Sequence, residues 1–214
     1  MQTSPHIVLV HGLGRSRHDM FLLAPRLREA FPASTIHTFD YSSRHLTLMQ
    51  ATEELANFVS SCARGEPVSF VGHSLGGIVA RALDASGYGA APLERLVTLG
   101  SPHNGARIAK FLAQYSIPRS IFGPVLSELG ELLPQEPRQL QIGCIIGATK
   151  TRFGYFPLLG GDNDGLVLVR EAHLEKCTAH IHVPTFHGYM PFSPRIARLS
   201  ARFLGVGSFT DTDT

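Results

Sequence analysis

Residues 67–83 read PVSFVGHSLGGIVARAL, in which a strand pattern, a glycine-rich turn and a helix pattern follow one another directly. The apolar run Pro67–Val71 is typical of a strand buried on both faces, and Leu75–Ala85 has helical spacing with many small residues. The turn between them, Gly72–Gly76, is a G-x-S-x-G sequence. A sharp strand-to-helix turn requires glycine at neighbouring positions and lifts the Ser74 hydroxyl clear of the sheet. We therefore predict a strand–turn–helix unit that presents a serine.

Strand-like and helix-like runs alternate along most of the chain, which is the pattern of an α/β protein with a mostly parallel central sheet. We predict about six strands, with helices on both faces. The predicted strands are His6–Val10, Ser34–Phe39, Pro67–Val71, Leu96–Leu99, Ile142–Ile146 and His180–Phe186, and the predicted helices are Asp19–Ala30, Leu48–Cys62, Leu75–Ala85 and Ser193–Phe203. We expect residues 1–204 to form a single domain, followed by a polar, frayed tail over 205–214.

Residues 104–139 interrupt this alternation, because they carry two helical patterns instead of one crossover helix. The second pattern begins after Pro118 and ends at Pro134. One interpretation is a small cap or lid over a site, and the other is a pair of crossover helices packed on the sheet. The sequence leaves both interpretations open.

Composition excludes several classes of protein. Hydrophobic residues make up 43% of the 214 residues, which excludes a disordered chain. The formal net charge of +2 is too small for a nucleic-acid-binding surface, so we expect no nucleic-acid partner. No apolar run approaches the roughly 18 residues that span a bilayer. The first residues show no signal peptide, which favours the cytoplasm, although a processed secreted form would begin in the same way.

The three cysteines are Cys62, Cys144 and Cys177. Their number is odd, they lie far apart in the sequence, and their spacing is not that of a metal site. We interpret them as reduced thiols, which again favours the cytoplasm.

A serine hydroxyl is a weak nucleophile at neutral pH, so a catalytic Ser74 requires a base and an acid that orients that base. In this architecture the three residues follow in the order Ser, Asp or Glu, His. His187 comes directly after the last predicted strand, at the carboxyl edge where open α/β sheets place their sites. His180 and His182 lie inside that strand, and His173 lies before it. His187 is therefore the predicted base.

The acid has two candidates in the loop GGDNDGLV (160–167), Asp162 and Asp164. Asp164 precedes Gly165 and an apolar run, a turn that could direct its carboxylate inward. Asp162 could equally be a solvated loop charge or a turn former. We favour Asp164, partly because of the family resemblance described below.

An oxyanion-binding loop is predicted at His11–Gly14, which reads HGLG directly after the first strand. Glycines allow backbone N–H groups to approach a tetrahedral oxyanion, and the residue after the nucleophile supplies a second donor. The predicted donors are the N–H groups of Leu13 and Leu75.

Together these residues resemble the α/β-hydrolase superfamily and, within it, the bacterial lipase and esterase group. The resemblance rests on VLVHGLG (8–14), VGHSLGG (71–77), TLGSPHNG (98–105), DNDGLV (162–167) and His187, in the family's order over about residues 6–204. It implies that the aspartate of the N-D-G turn, Asp164, is the triad acid and that Leu13 is the first oxyanion donor. His73 and His103 belong to these motifs, and we interpret both as structural.

The resemblance is to a minimal form of this fold. The chain begins at the strand before the oxyanion loop, so we expect the two leading strands of larger members to be absent, and the insert is too short for a large lid. Interfacial activation is therefore in doubt. The calcium sites of the group cannot be assigned: Asp162 and Asp40 are candidate oxygen ligands, but a calcium site needs six or more donors. We predict no metal and no organic cofactor.

The predicted activity is hydrolysis of carboxylic esters, lipid-like or of short to medium chain length, through an acyl-enzyme on Ser74 with His187 as base and Asp164 orienting it. Thioester hydrolysis, amide hydrolysis or acyl transfer by the same residues is an alternative, because the fold hosts many reactions. A non-catalytic, hydrolase-like binding protein is a further alternative.

The expected partner is a small-molecule ester or lipid. Arg195, Arg198 and Arg202 lie three and four residues apart on the last predicted helix. This spacing has two interpretations. The arginines form a basic face that binds anionic lipid head groups, with transient contact to a lipid surface, or they form an ordinary solvated helix face. The sequence leaves the oligomeric state open.

Overall fold

A parallel sheet of six strands forms the centre of the molecule, in the order β2-β1-β3-β4-β5-β6. The structure, a computed structural model, describes residues 3–88, 91–131 and 138–210. The strands are β1 (His6–Val10), β2 (Thr35–Phe39), β3 (Val68–His73), β4 (Leu93–Leu99), β5 (Gln141–Gly147) and β6 (Ala179–Val183). The predicted α/β class and six-stranded parallel sheet are confirmed.

Helices cover both faces of this sheet. They are α1 (Leu23–Ala30), α2 (Leu48–Ala63), α3 (Leu75–Ser86), α4 (Arg107–Leu112), α5 (Ser116–Phe122), α6 (Val125–Glu131), α7 (Val169–Ala172) and α8 (Pro194–Val206), with short 3-10 segments at Arg17–Met20, Pro157–Leu159 and His187–Phe192. The core on one face contains side chains of α1 and α8, and the core on the other contains side chains of α2, α3 and the α4–α6 segment.

The strand β1 shows why the central strands are apolar throughout. Ile7 and Leu9 point into the core beneath α1 and α8, whereas Val8 and Val10 point into the core beneath α2 and α3. All four side chains are fully buried, because a parallel strand with helices on both faces has no solvent side. The strand then continues directly into the HGLG loop at the carboxyl edge of the sheet.

The last strand is shorter than predicted. It ends at Val183, which pairs with Gly147 at the end of β5, and not at Phe186. Pro184 has no N–H group to donate to a neighbouring strand, so pairing stops there. Residues 184–186 form a loop, and His187 begins the 3-10 segment that follows it.

The insert contains three short helices, α4 to α6, and not the two helical patterns that the sequence predicted. The second pattern is divided at Gly123, which has a φ of 75°. Pro124 follows it and disfavours a helical conformation at the preceding residue, so α5 ends at Phe122. The part of the predicted insert that spans 132–137 lies outside the described residues.

The prediction of a frayed tail from residue 205 is wrong for 205–210. Helix α8 continues to Val206 and ends at Gly207, which adopts the left-handed conformation that glycine favours at a helix C-terminus. Phe209 is buried and its ring lies 5.0 Å from that of Phe203, centroid to centroid. The chain after α8 therefore packs against the core through Phe209. Residues 211–214 lie outside the described part.

Within the described ranges 3–88, 91–131 and 138–210, no helix combines the length and the apolar character that a bilayer crossing needs.

Candidate active site

Ser74 lies in a strained turn between β3 and α3. Its φ of 54° and ψ of −120° fall in a region that residues with a side chain rarely adopt, at an expense of about 1–3 kcal/mol. The turn is held on both sides, because the Ser74 N–H donates to the Leu99 carbonyl oxygen (2.9 Å) and the Gly77 N–H donates to the Ser74 carbonyl oxygen (3.2 Å). The predicted strand–turn–helix unit is therefore present, with the serine at its tightest point.

Two glycines allow the backbone to close around this serine. A side chain at Gly76 would collide with the carbonyl oxygen of Val10, because the first turn of α3 rests on the end of β1. A Cβ atom at Gly12 would lie 3.1 Å from the Cβ atom of Ser74. The HGLG loop and the serine turn therefore pack directly against each other.

Asp164 and His187 form a buried pair. His187 Nδ1–H donates to Asp164 Oδ2 at 2.7 Å, and the His187 backbone N–H donates to the Asp164 carbonyl oxygen at 2.8 Å. The other carboxylate oxygen, Oδ1, accepts the N–H groups of Leu166 (3.0 Å) and Val167 (2.8 Å). Since the carboxylate binds Nδ1, the Nε2 atom of His187 is left as the proton acceptor.

Asp162 has a different position and different partners. Its carboxylate accepts the N–H groups of Thr149 and Lys150, each at 2.8 Å, and the hydroxyl of Thr149. Partial burial raises the pKa of this carboxyl group, but these hydrogen bonds outweigh that effect and hold the pKa below its ordinary value. Asp162 thus stabilises the turn after β5 through these hydrogen bonds. Asp164, and not Asp162, is the aspartate that contacts His187.

His73 and His103, which the sequence analysis interpreted as structural, are both buried. His73 Nε2–H donates to the His187 carbonyl oxygen at 3.0 Å, which ties the serine turn to the histidine loop. His103 Nδ1 accepts from Arg81 Nη1 (3.0 Å), and its Nε2–H donates to Thr98 Oγ1 (3.1 Å). Burial is the main cause that holds both histidine pKa values well below the ordinary value, and the neighbouring His187 ring at His73 and the Arg81 guanidinium at His103 act in the same direction.

Side chains of the loop after β2 hold the HGLG loop in place. The Tyr41 hydroxyl donates to the His11 carbonyl oxygen at 3.0 Å, and the Gly14 N–H donates to Ser43 Oγ at 2.9 Å. Tyr41 also stacks on the His11 ring, with centroids 4.5 Å apart. Sequence reasoning missed Tyr41 and Ser43, because nothing in the local pattern links them to residues about 30 positions earlier.

Ser74 and His187 line one cavity of about 180 Å³, together with Gly12, Leu13 and Arg15. No hydrogen bond joins Ser74 Oγ to His187 Nε2, although catalytic hydrogen bonds are often loose before substrate binds. Leu75, the second predicted oxyanion donor, is the first residue of α3 and is buried. Arg15 lies at this cavity with Nη1 3.1 Å from Asp19 Oδ1, and the sequence analysis did not identify it.

The insert supplies most of the apolar wall of this cavity. Its lining residues are Ala106, Ile108, Ala109, Leu112, Phe122, Leu126 and Leu129, with Leu166 and Val167 from the loop of Asp164. The segment 104–131 therefore lies along the site and does not only pack on the sheet.

The candidate oxygen ligands for a metal are occupied by protein groups. Asp40 Oδ1 accepts the Arg17 N–H at 3.0 Å and lies 3.2 Å from His11 Nε2, while Asp162 binds the turn at residue 149. Across the described part of the chain, no group of three or more His, Cys, Asp or Glu side chains is placed to hold a metal ion.

Solved structures with the same architecture include a mature lipase from Bacillus licheniformis (20% identity, 96% of this chain and 93% of the lipase covered, TM-score 0.72). A metagenomic carboxyl esterase (16% identity, 97% and 76% covered, TM-score 0.67) is also similar. A lipase-esterase related protein from Clostridium acetobutylicum (12% identity, 94% of each chain covered, TM-score 0.61) is a third. These likenesses show that the chain has the α/β-hydrolase fold.

The sequence model for the palmitoyl protein thioesterase family matches residues 6–131, which is more than half of the chain. The chain belongs to this family. The matched part contains the HGLG loop, the serine turn and the insert as far as residue 131, and it ends before Asp164 and His187. A search of curated proteins finds no match.

The buried histidines make the stability of the fold depend on pH. Because their folded-state pKa values lie well below the unfolded value, the unfolded chain binds more protons, and stability falls as the pH drops below about 6.5. For His73 and His103 together, we expect the free energy of unfolding to fall by up to about 3 kcal/mol between about pH 7.5 and 5.5. Urea unfolding at the two pH values measures this loss. His103→Gln should reduce it by about half, whereas a change at the exposed His18, such as His18→Gln, should leave it intact.

Proposed function

We propose that this protein hydrolyses carboxylic esters through an acyl-enzyme on Ser74. The observation that carries the proposal is the 2.7 Å hydrogen bond between His187 Nδ1 and Asp164 Oδ2, in a pair whose histidine lines the same cavity as Ser74. A buried carboxylate on Nδ1 fixes the tautomer that leaves Nε2 free to accept the serine proton.

In the proposed reaction, His187 Nε2 takes the proton from Ser74 Oγ as that oxygen attacks the acyl carbonyl carbon. The backbone N–H groups of Leu13 and Leu75 stabilise the oxyanion, each worth about 3 kcal/mol in comparable sites. His187 then protonates the leaving group and accepts a proton from the water that releases the acid. Asp164 stabilises the imidazolium in both halves of the reaction.

The apolar wall of the cavity favours binding of an acyl chain. Its lining from the insert is apolar, and burial of each methylene group contributes about 0.8 kcal/mol. Leu166, at the cavity, and Phe186, next to His187, are both exposed to solvent. These two apolar side chains, one at the cavity and one beside His187, support a substrate that is lipid-like or of short to medium chain length and a transient contact with a lipid surface.

To test the proposed triad, we would measure hydrolysis of nitrophenyl esters of increasing chain length. We expect Ser74→Ala and His187→Ala to lower kcat by about 10⁴-fold or more, and Asp164→Asn by about 10⁴-fold because the wrong histidine tautomer is then favoured. Asp162→Asn is the matched control, since Asp162 lies two residues away and does not contact His187. It should change kcat by less than about threefold. Near-normal turnover in a folded Ser74→Ala protein would refute the proposal.

To test the acyl pocket, we would replace Leu126, which lines the cavity, with Trp. The larger side chain occupies the volume of about two methylene groups, so kcat/KM for an octanoyl ester should fall about tenfold relative to an acetyl ester. Ile121→Trp is the matched control, because Ile121 is exposed on the same insert and does not line the cavity. An equal loss for both esters would place the acyl chain elsewhere.

Thioester hydrolysis is the second candidate, and the family match favours it, since the matched family is named for thioesterases. The same residues would attack either carbonyl, and the leaving group alone differs. We would compare matched O-acyl and S-acyl substrates that carry the same acyl chain and whose neutral leaving groups differ only in the oxygen or sulfur atom. A thioesterase should show a kcat/KM at least about tenfold higher for the S-acyl member, which corresponds to about 1.4 kcal/mol of transition-state stabilisation. Equal or lower values would favour the ester hydrolase.

A further inference from the structure

The fold brings together two cysteines that lie 33 positions apart in the sequence, Cys144 and Cys177. Cys144 lies in β5 and pairs with His180 of β6. Cys177 lies in the turn just before β6, and the next residue, Thr178, donates its N–H to the Ile142 carbonyl oxygen at 2.7 Å. The turn therefore closes over the start of β5, next to the strand that carries Cys144.

Cys177 Sγ lies 4.0 Å from His180 Nδ1, and His180 is the residue of β6 that pairs with Cys144, so the two thiols lie near each other on one face of the sheet. The side chain of Cys177 also packs against the apolar core that contains Cys144. Cys144 is 1% exposed, whereas Cys177 is partly open to solvent. Cys62 is not part of this pair, since it lies in α2 with its Sγ directed to the Val59 carbonyl oxygen.

Histidines surround the accessible thiol. Cys177 Sγ lies 4.0 Å from His180 Nδ1, and the His180 ring contacts the rings of His173 and His182 at 5.0 and 5.8 Å. The neighbouring Cys144 thiol, and after it the contact with His180, lower the pKa of Cys177 to about 6 against the opposing effect of burial. The neighbouring Cys177 thiol and burial raise the pKa of Cys144. The partly exposed Cys177 is thus the thiolate at neutral pH, and the buried Cys144 keeps its proton.

We propose that Cys144 and Cys177 form an oxidisable dithiol that hydrogen peroxide converts into an intramolecular disulfide. The Cys177 thiolate attacks one peroxide oxygen, the O–O bond breaks, and Cys177 becomes a sulfenic acid as the second oxygen leaves as water. The Cys144 sulfur then attacks the Cys177 sulfur, the S–O bond breaks, and the oxygen leaves as a second water. Two thiols are oxidised and one peroxide is reduced to two waters.

The division of roles follows from burial. A peroxide reaches Cys177 from solvent, whereas Cys144 is buried and does not meet solvent. Cys144 Sγ also lies 3.8 Å from His103 Nε2, in the loop that ends at the cavity wall, so the pair touches the support of the candidate active site. The dithiol does not depend on the proposed ester hydrolysis, and its chemistry is measured on the thiols themselves.

The test treats the reduced full chain with hydrogen peroxide, blocks the remaining thiols, and measures intact mass and unreduced peptides. We expect loss of two hydrogen atoms, a single cross-linked peptide pair that contains Cys144 and Cys177, and recovery of both thiols with a reductant. Cys62→Ser is the matched control and should give the same cross-link. Three free thiols after treatment, or a cross-link that contains Cys62, would overturn the proposal.

Two further measurements separate the roles of the cysteines. In Cys144→Ser, the sulfenic acid of Cys177 has no thiol to react with, so a dione reagent should trap it. In the unmodified chain, the rate of Cys177 alkylation should rise with a midpoint near pH 6, about two units below an ordinary thiol. A midpoint at the ordinary thiol value, above about 8, would contradict the assignment of Cys177 as the attacking thiolate.

Discussion

The contact between the first turn of α3 and the end of β1 fixes the geometry of the candidate site. Gly76 rests on the carbonyl oxygen of Val10, so the chain between β3 and α3 has room for only one tight turn, and Ser74 occupies it at positive φ. Since β1 is the neighbour of β3 in the sheet, the loop after β1 must pass beside this serine. One packing constraint therefore places the serine and both proposed oxyanion donors.

The other half of the site depends on polar contacts between two loops at the carboxyl ends of β5 and β6. A buried carboxylate is costly unless its oxygens have partners, and every oxygen of Asp164 has at least one. The backbone of His187 makes two hydrogen bonds: its N–H donates to the Asp164 carbonyl oxygen in the other loop, and its carbonyl oxygen accepts from His73 Nε2 at the end of β3. The imidazole is thus positioned by its own main chain as well as by the carboxylate.

The sequence alone predicts those features of the fold in which a local pattern specifies a local structure. The strand–turn–helix unit at Ser74 and the six parallel strands follow from apolar runs and glycine spacing. Features that depend on tertiary contacts were not predictable in this way: the division of the insert at Gly123, the return of Phe209 to the core, and the hydrogen bond from Tyr41 to the HGLG loop. The proximity of Cys144 and Cys177 also depends on the β5–β6 register, which neither residue's neighbours reveal.

The order of the strands has a consequence for the way the site assembles during folding. The residues around the cavity come from the loops after β1, β3, β4, β5 and β6, and parallel strands cannot pair until the intervening crossover is in place. His187 follows the last strand, which joins the sheet at its edge through β5 alone. A growing chain therefore lacks His187 until all six strands have been synthesised, so the pair of His187 and Asp164 forms only after the last strand has joined the sheet.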